Sequence, residues 1–192
     1  MDTYQTIAAP SIGEFKEKGS KFIAFAYFVS DEIEIKEKLD LLKKEHFKAT
    51  HHCYAYRLGT DGKNYRANDD GEPSGTAGRP ILGQIDSFGL TNLLIVVVRY
   101  YGGTKLGTSG LINAYREAAK LALENSIKIE KIIESQIDFS VPYLKMNEVM
   151  QFLKQYEIEL ITNDYSDESI HFRVSVRNKL LESLKEKIEH WQ

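Results

Sequence analysis

Six consecutive apolar residues, Leu93-Leu94-Ile95-Val96-Val97-Val98, predict a strand covered on both faces. The chain then turns polar and glycine-rich through Arg99-Tyr100-Tyr101-Gly102-Gly103-Thr104-Lys105-Leu106-Gly107. It next enters a helical pattern with Leu111, Tyr115, Ala118 and Ala122 on one stripe, and Thr108 or Ser109 is the expected cap. A strand feeding a glycine-rich turn and a helix aims backbone N–H groups at one point, where an anion can sit.

Upstream, residues 4–9 read as a short strand ended by Pro10, and residues 12–29 as a hairpin turning at Gly19-Ser20. Asp31 is placed to cap a helix in which Ile35, Leu39, Leu42 and His46 recur on one face. Residues 50–58 alternate as a strand, with His51, Cys53, Ala55 and Arg57 on one side and His52, Tyr54, Tyr56 and Leu58 on the other. A short helix beginning near Arg79-Pro80 and carrying Ile81, Leu82 and Ile85 precedes the buried strand.

Beyond residue 128 the pattern is plainer. A strand with Ile133, Ile137, Phe139 and Val141 on one face is followed by a helix started by Pro142, with Met146, Val149, Met150 and Leu153 as its stripe. A strand near 157–161 turns at 163–167 and returns with Ile170, Phe172, Val174 and Val176 alternating inward. Asn178 then caps a last helix bearing Leu181, Leu184, Ile188 and Trp191. This is βαββα, one strand short of a ferredoxin-like βαββαβ: either the sequence stops early, or the protein ends there and leaves a sheet edge open.

Composition sharpens the division into 1–128 and 129–192. Of 13 glycines, 11 lie between Gly59 and Gly110 and none follows, so the special backbone conformations sit in the first part. Residues 1–128 hold 17 Lys and Arg against 16 Asp and Glu, whereas 129–192 hold 8 against 12. A charged fraction of 28% and a hydrophobic fraction of 42% describe a soluble globular chain. One cysteine, Cys53, leaves no internal disulfide and fits a reducing compartment. No bilayer-length apolar run and no basic, apolar leader is visible, so the expected place is the cytoplasm, with no membrane partner.

The chemistry-bearing residues fall in three stretches. Asp69, Asp70 and Glu72 in the Asn68–Pro80 loop are oxygen donors suited to a hard cation, although the spacing is not that of an EF-hand. The same loop reads equally as an Asp-Gly turn followed by a Ser74 or Thr76 cap. His51 and Cys53 share a strand face, but adjacent histidines point apart and no second cysteine exists, which argues against zinc. His52 and Arg57 are secondary candidates on the same strand. The Gly102–Thr108 stretch lacks the lysine of a Walker A loop, and no dinucleotide fingerprint is present. Arg99 and Lys105 supply charge there, and Tyr100 and Tyr101 offer stacking faces.

Two long motifs then carry a family resemblance. Asp70-Gly71-Glu72-Pro73-Ser74-Gly75-Thr76-Ala77-Gly78-Arg79-Pro80, followed by Val98-Arg99-Tyr100-Tyr101-Gly102-Gly103-Thr104-Lys105-Leu106-Gly107, closely resembles the IMPACT/YigZ family, in its two-domain bacterial-type form. The resemblance implies an α+β chain whose first domain is like domain two of ribosomal protein S five and domain four of elongation factor G. The second domain would then be ferredoxin-like, as in domain five of that factor. Eukaryotic members regulate translation during amino-acid starvation through a kinase-activator partner, but they carry an extra RWD domain that this chain lacks.

Three functions follow as expectations. The first is a translation-associated regulator binding RNA, the ribosome or a translation-factor partner through the first domain. The second is a protein-binding adaptor docking through the glycine-rich loops. The third is a hydrolase on a small phosphorylated or peptide substrate, for which no nucleophile and base can be read. No cofactor or metal is expected, and the chain should be a monomer or weak homo-oligomer. The expected binding residues are Asp70, Glu72, Ser74, Thr76, Arg79, Arg99, Tyr100, Tyr101, Lys105, Thr108 and Ser109.

Overall fold

In the computed structural model, which describes residues 2–192, the buried hexad becomes the centre of an antiparallel sheet. Strand β1 spans Thr3–Ile7, β2 Ser11–Glu17 and β3 Ser20–Phe28; helix α1 spans Glu32–Glu45. Strands β4 (His51–Leu58) and β5 (Asn64–Asn68) precede α2 (Gly78–Ser87), β6 (Leu93–Tyr100) and α3 (Gly107–Glu124). The sheet order is β2-β3-β6-β4-β5, with every pairing antiparallel.

Strand β6 is apolar from Leu93 to Val98 because helices cover both of its faces. On one face Phe22, Ala24, Cys53, Ala55, Leu93, Ile95 and Val97 pack with Ile81 and Ile85 of α2 and with Leu111, Tyr115 and Ala118 of α3. On the other, Leu94, Val96, Val98, Tyr56 and Leu58 pack with Ile35 and Leu42 of α1. The Asp31 carboxylate accepts from the backbone N–H groups of Ile33 and Glu34, both at 2.9 Å, and so caps α1 as its position predicts.

Some local expectations shift by a residue or two. The β2–β3 turn is Lys18-Gly19, not Gly19-Ser20, with φ of 46° and 78° as a two-residue turn between right-twisted strands demands. Helix α2 begins at Gly78, which puts Pro80 at its third position. Among the described residues no side chain caps α3, whose N-cap is Leu106; Thr108 and Ser109 lie inside its first turn.

Contacts divide the chain into two units, one of residues 5–130 and one joining residues 2–4 to Lys131–Gln192. The boundary expected at 128 therefore falls two residues later, and the N-terminal tip groups with the second unit. It cuts through β1 and its partner β7 (Lys128–Ile132), which form a two-stranded ribbon.

The second unit contains β8 (Glu134–Pro142), α4 (Met146–Gln155), β9 (Glu159–Tyr165), β10 (Ser169–Arg177) and α5 (Leu181–Trp191). Its antiparallel sheet runs β8-β10-β9, the order of the first three strands of a ferredoxin-like fold. Phe139, Ile170, Phe172, Val174 and Val176 bury against Val149, Leu153, Leu184 and Trp191. Pro142 ends β8, and a 3-10 turn, Tyr143–Lys145, stands between it and α4. Another 3-10 turn, Asn178–Leu180, takes the place of an Asn178 cap on α5.

Candidate functional site

Three adjacent strands of the first unit place Phe22, Arg99 and His51 in one row. Phe22 of β3 and His51 of β4 both lie directly opposite Arg99 of β6, so all three project toward α3. Arg99 is 6% exposed, and its Nη1 donates to Glu72 Oε1 at 2.5 Å. Tyr115 of α3 donates to the same oxygen at 2.7 Å, while His51 Nε2 stands 3.8 Å from Oε2. The Arg99 guanidinium lies over the rings of Phe22 and Tyr101, at 5.3 and 5.5 Å from their centroids. Cys53 completes the chain of contacts, its single S–H shared between Asp69 O at 3.0 Å and Tyr115 Oη at 3.3 Å.

The loop that brings Glu72 here is built by its own acids. Asp69 accepts from the backbone N–H groups of Gly75, Ala77 and Gly78 at 2.9, 3.1 and 2.8 Å, and so caps α2 from nine residues upstream. Burial works to raise its pKa, but these three N–H groups outweigh it and hold the carboxyl below its usual value. Asp70 accepts from His52 N at 2.6 Å, and its carbonyl meets His51 Nδ1 at 2.7 Å. Asp70 and Gly71, with φ of 42° and 86°, form the turn. The hard-cation reading fails here, because the three carboxylates diverge to three different tasks. Among the described residues no metal-sized group of His, Cys, Asp and Glu gathers.

Above the Glu72–Arg99 pair opens a cavity of about 550 Å³. Thr50, His51, Glu72 and Arg99 line its floor and near side; Pro73, Tyr101, Leu106 and Leu111 give it apolar walls. Lys105, Gly107 and Thr108 bring the N-terminus of α3 to its rim. Of the expected residues, the structure thus unites Glu72, Arg99, Tyr101, Lys105 and Thr108 with His51.

The other candidates lie elsewhere. Tyr100 follows Arg99 by one residue and so faces the α1 side, where its hydroxyl meets His46 Nδ1 at 2.8 Å. His52 is buried on that same side, and burial lowers its pKa. Arg57, at the far end of β4, is held by Asp86 at 2.7 Å and by the Gly62 carbonyl at 2.8 Å. Thr76 is buried and donates to the Pro73 carbonyl at 2.6 Å, so it folds the loop. Ser74, Arg79 and Ser109 are exposed outside the cavity lining, and Asp70 serves the turn. Gly102 is needed for packing: a Cβ there would come within 2.3 Å of Gly19 O and Ser20 N. Tyr115 was not singled out from sequence, since a tyrosine on a helical stripe reads as core; Cys53 is buried, and burial pushes both groups' pKa values up.

Fold and cavity together define a two-unit α+β protein with a cavity at a strand–loop–helix junction of its first unit. The sequence profile of the Impact N-terminal domain matches residues 18–123, which hold the whole of this site. IMPACT family member YvyE of Bacillus subtilis is 35% identical over 93% of this chain and 82% of its own length. IMPACT family member YigZ of Escherichia coli is 33% identical over 86% of this chain and 82% of its own. The chain belongs to the IMPACT family. A crystal structure described as that of a hypothetical protein shares 30% identity and superposes with a TM-score of 0.78, covering 100% of this chain and 94% of the other.

Proposed function

We propose that this protein is a translation-associated regulator that binds RNA, on or off the ribosome, through its first unit. The carrying observation is the cavity, where Lys105, Arg99, the exposed ring of Tyr101 and the uncapped start of α3 stand together. Cationic groups beside an aromatic face are what a flexible nucleic-acid strand meets in sequence-tolerant binding. Family membership supplies the translation context, since the resemblance in the two motifs is to a family with translation regulators among its members.

The charge balance of the chain limits how the surface works. Its net charge is −3, so long-range attraction to RNA is weak and binding rests on this one locality. The outer face of the second unit favours the same assignment. There Asp138 accepts from Arg173 at 2.8 Å and meets His171 at 3.2 Å, so the Arg173 charge is already matched.

The test is a pull-down of the full chain at low and high salt, with bound RNA and protein both identified. RNA or ribosomes retained at low salt and lost with Lys105→Ala support the reading. Retention of a protein partner alone, with no RNA in either condition, overturns it in favour of an adaptor.

A further inference from the structure

We infer that the cavity is a site for one phosphate monoester group, seated at the N-terminus of α3 between Lys105 and Arg99. The inference deepens the RNA reading by naming the group that enters, and rests on that reading only for which molecule carries it.

Two independent observations meet at this point. Helix α3 begins at Gly107 behind Leu106, which offers no side-chain acceptor, so the N–H groups of its first turn lack a side-chain cap beside the cavity rim. In loops of this kind the helix start itself is favourable to a negative group. The second observation is Arg99, 94% buried yet lining the cavity, whose Nε has no hydrogen-bond partner among the described residues. A buried guanidinium N–H without a partner is costly and rare, and a ligand oxygen or water is the usual resolution.

The acid at the floor does not oppose this. Glu72 Oε1 already accepts from Arg99 and Tyr115, and its charge is matched by the guanidinium. What remains uncompensated is the Lys105 ammonium and the helix start, which is a cationic balance. Thr108, at the second helical position, adds a hydroxyl donor on the same rim. The apolar walls of Pro73, Leu106 and Leu111 suit an uncharged body behind the phosphate, and the volume of about 550 Å³ is that of a site for a mononucleotide-sized molecule. A nucleotide, free or at the end of an RNA strand, combines these two parts.

Isothermal titration of the full chain with adenosine 5′-monophosphate, adenosine and inorganic phosphate tests the site. The expected result is that the nucleotide binds at least about tenfold more tightly than the nucleoside, with phosphate competing. Thr108→Glu is the decisive variant. Its carboxylate at the second helical position occupies the anion site while favouring the helix, so binding is lost and the unfolding midpoint holds or rises. Equal binding of nucleotide and nucleoside, no binding of either, or full binding by a folded Thr108→Glu protein overturns the inference. RNA oligonucleotides with a 5′-phosphate or a 5′-hydroxyl then locate the source. Preference for the phosphorylated end supports both readings. A nucleotide that binds while neither RNA does supports the phosphate site and counts against the RNA reading alone.

Discussion

Glu72 is buried with a side-chain exposure of 4%, and it is tolerable there only because Arg99 and Tyr115 share one of its oxygens. Replacing it with alanine leaves the Arg99 guanidinium charged and unpaired beneath the cavity. Glu72→Ala should therefore cost about 3–5 kcal/mol in urea unfolding. Tyr115→Phe removes one hydrogen bond to a charged group and should cost about 1.5–3 kcal/mol. Asp69 gives a prediction with a pH sign. Its folded pKa is depressed, so its contribution is complete above the unfolded aspartate value of about 3.9 and is lost as pH falls through the lower folded value. Asp69→Asn should destabilise by about 1–3 kcal/mol at pH 7 and unfold with a weaker pH dependence below pH 4 than the native protein. A variant as stable as the native protein at pH 7 would show that the three N–H contacts do not matter.

At the scale of elements, sequence reading succeeded where a pattern is local. The β6 hexad, the α1 stripe behind Asp31 and the alternation of Ile170, Phe172, Val174 and Val176 each repeat with one period, and each became the expected element. It faltered where the partner is distant in sequence. Nothing near Gly78 announces that its helix is capped by Asp69. Arg99 and Tyr100, neighbours in sequence, look like one patch only until the strand's period is applied, which turns them to opposite layers. The Gly102-Gly103 pair looked like an anion loop, whereas Gly102 serves the contact with the β2–β3 turn. Gly102→Ala should push that turn away and cost about 1–3 kcal/mol by thermal or urea unfolding. Lys18, with φ of 46°, should improve when changed to Asn, since Asn-Gly suits both positive-φ positions of the turn. A gain of a few tenths to about 1 kcal/mol is expected.

For the whole molecule, the division of labour follows from where charge is left unmatched. The second unit is acidic, with 8 basic against 12 acidic residues from 129 onward, and its outward His171 and Arg173 are engaged by Asp138. The first unit is near neutral, yet it concentrates Lys105, Arg99 and a helix start around one cavity. Because only one or two phosphates can be met there, binding to single-stranded RNA should depend weakly on salt, with a log–log slope of about −0.7 to −1.4. A much steeper slope would mean a wider basic surface. The RNA-binding claim is tested most directly by ultraviolet crosslinking of the full chain to RNA, with peptide mapping of the adducts. The account predicts an adduct on the segment holding Tyr101, reduced by Thr108→Glu; adducts confined to residues 131–192, or none at all under conditions where a known RNA-binding control crosslinks, would contradict it.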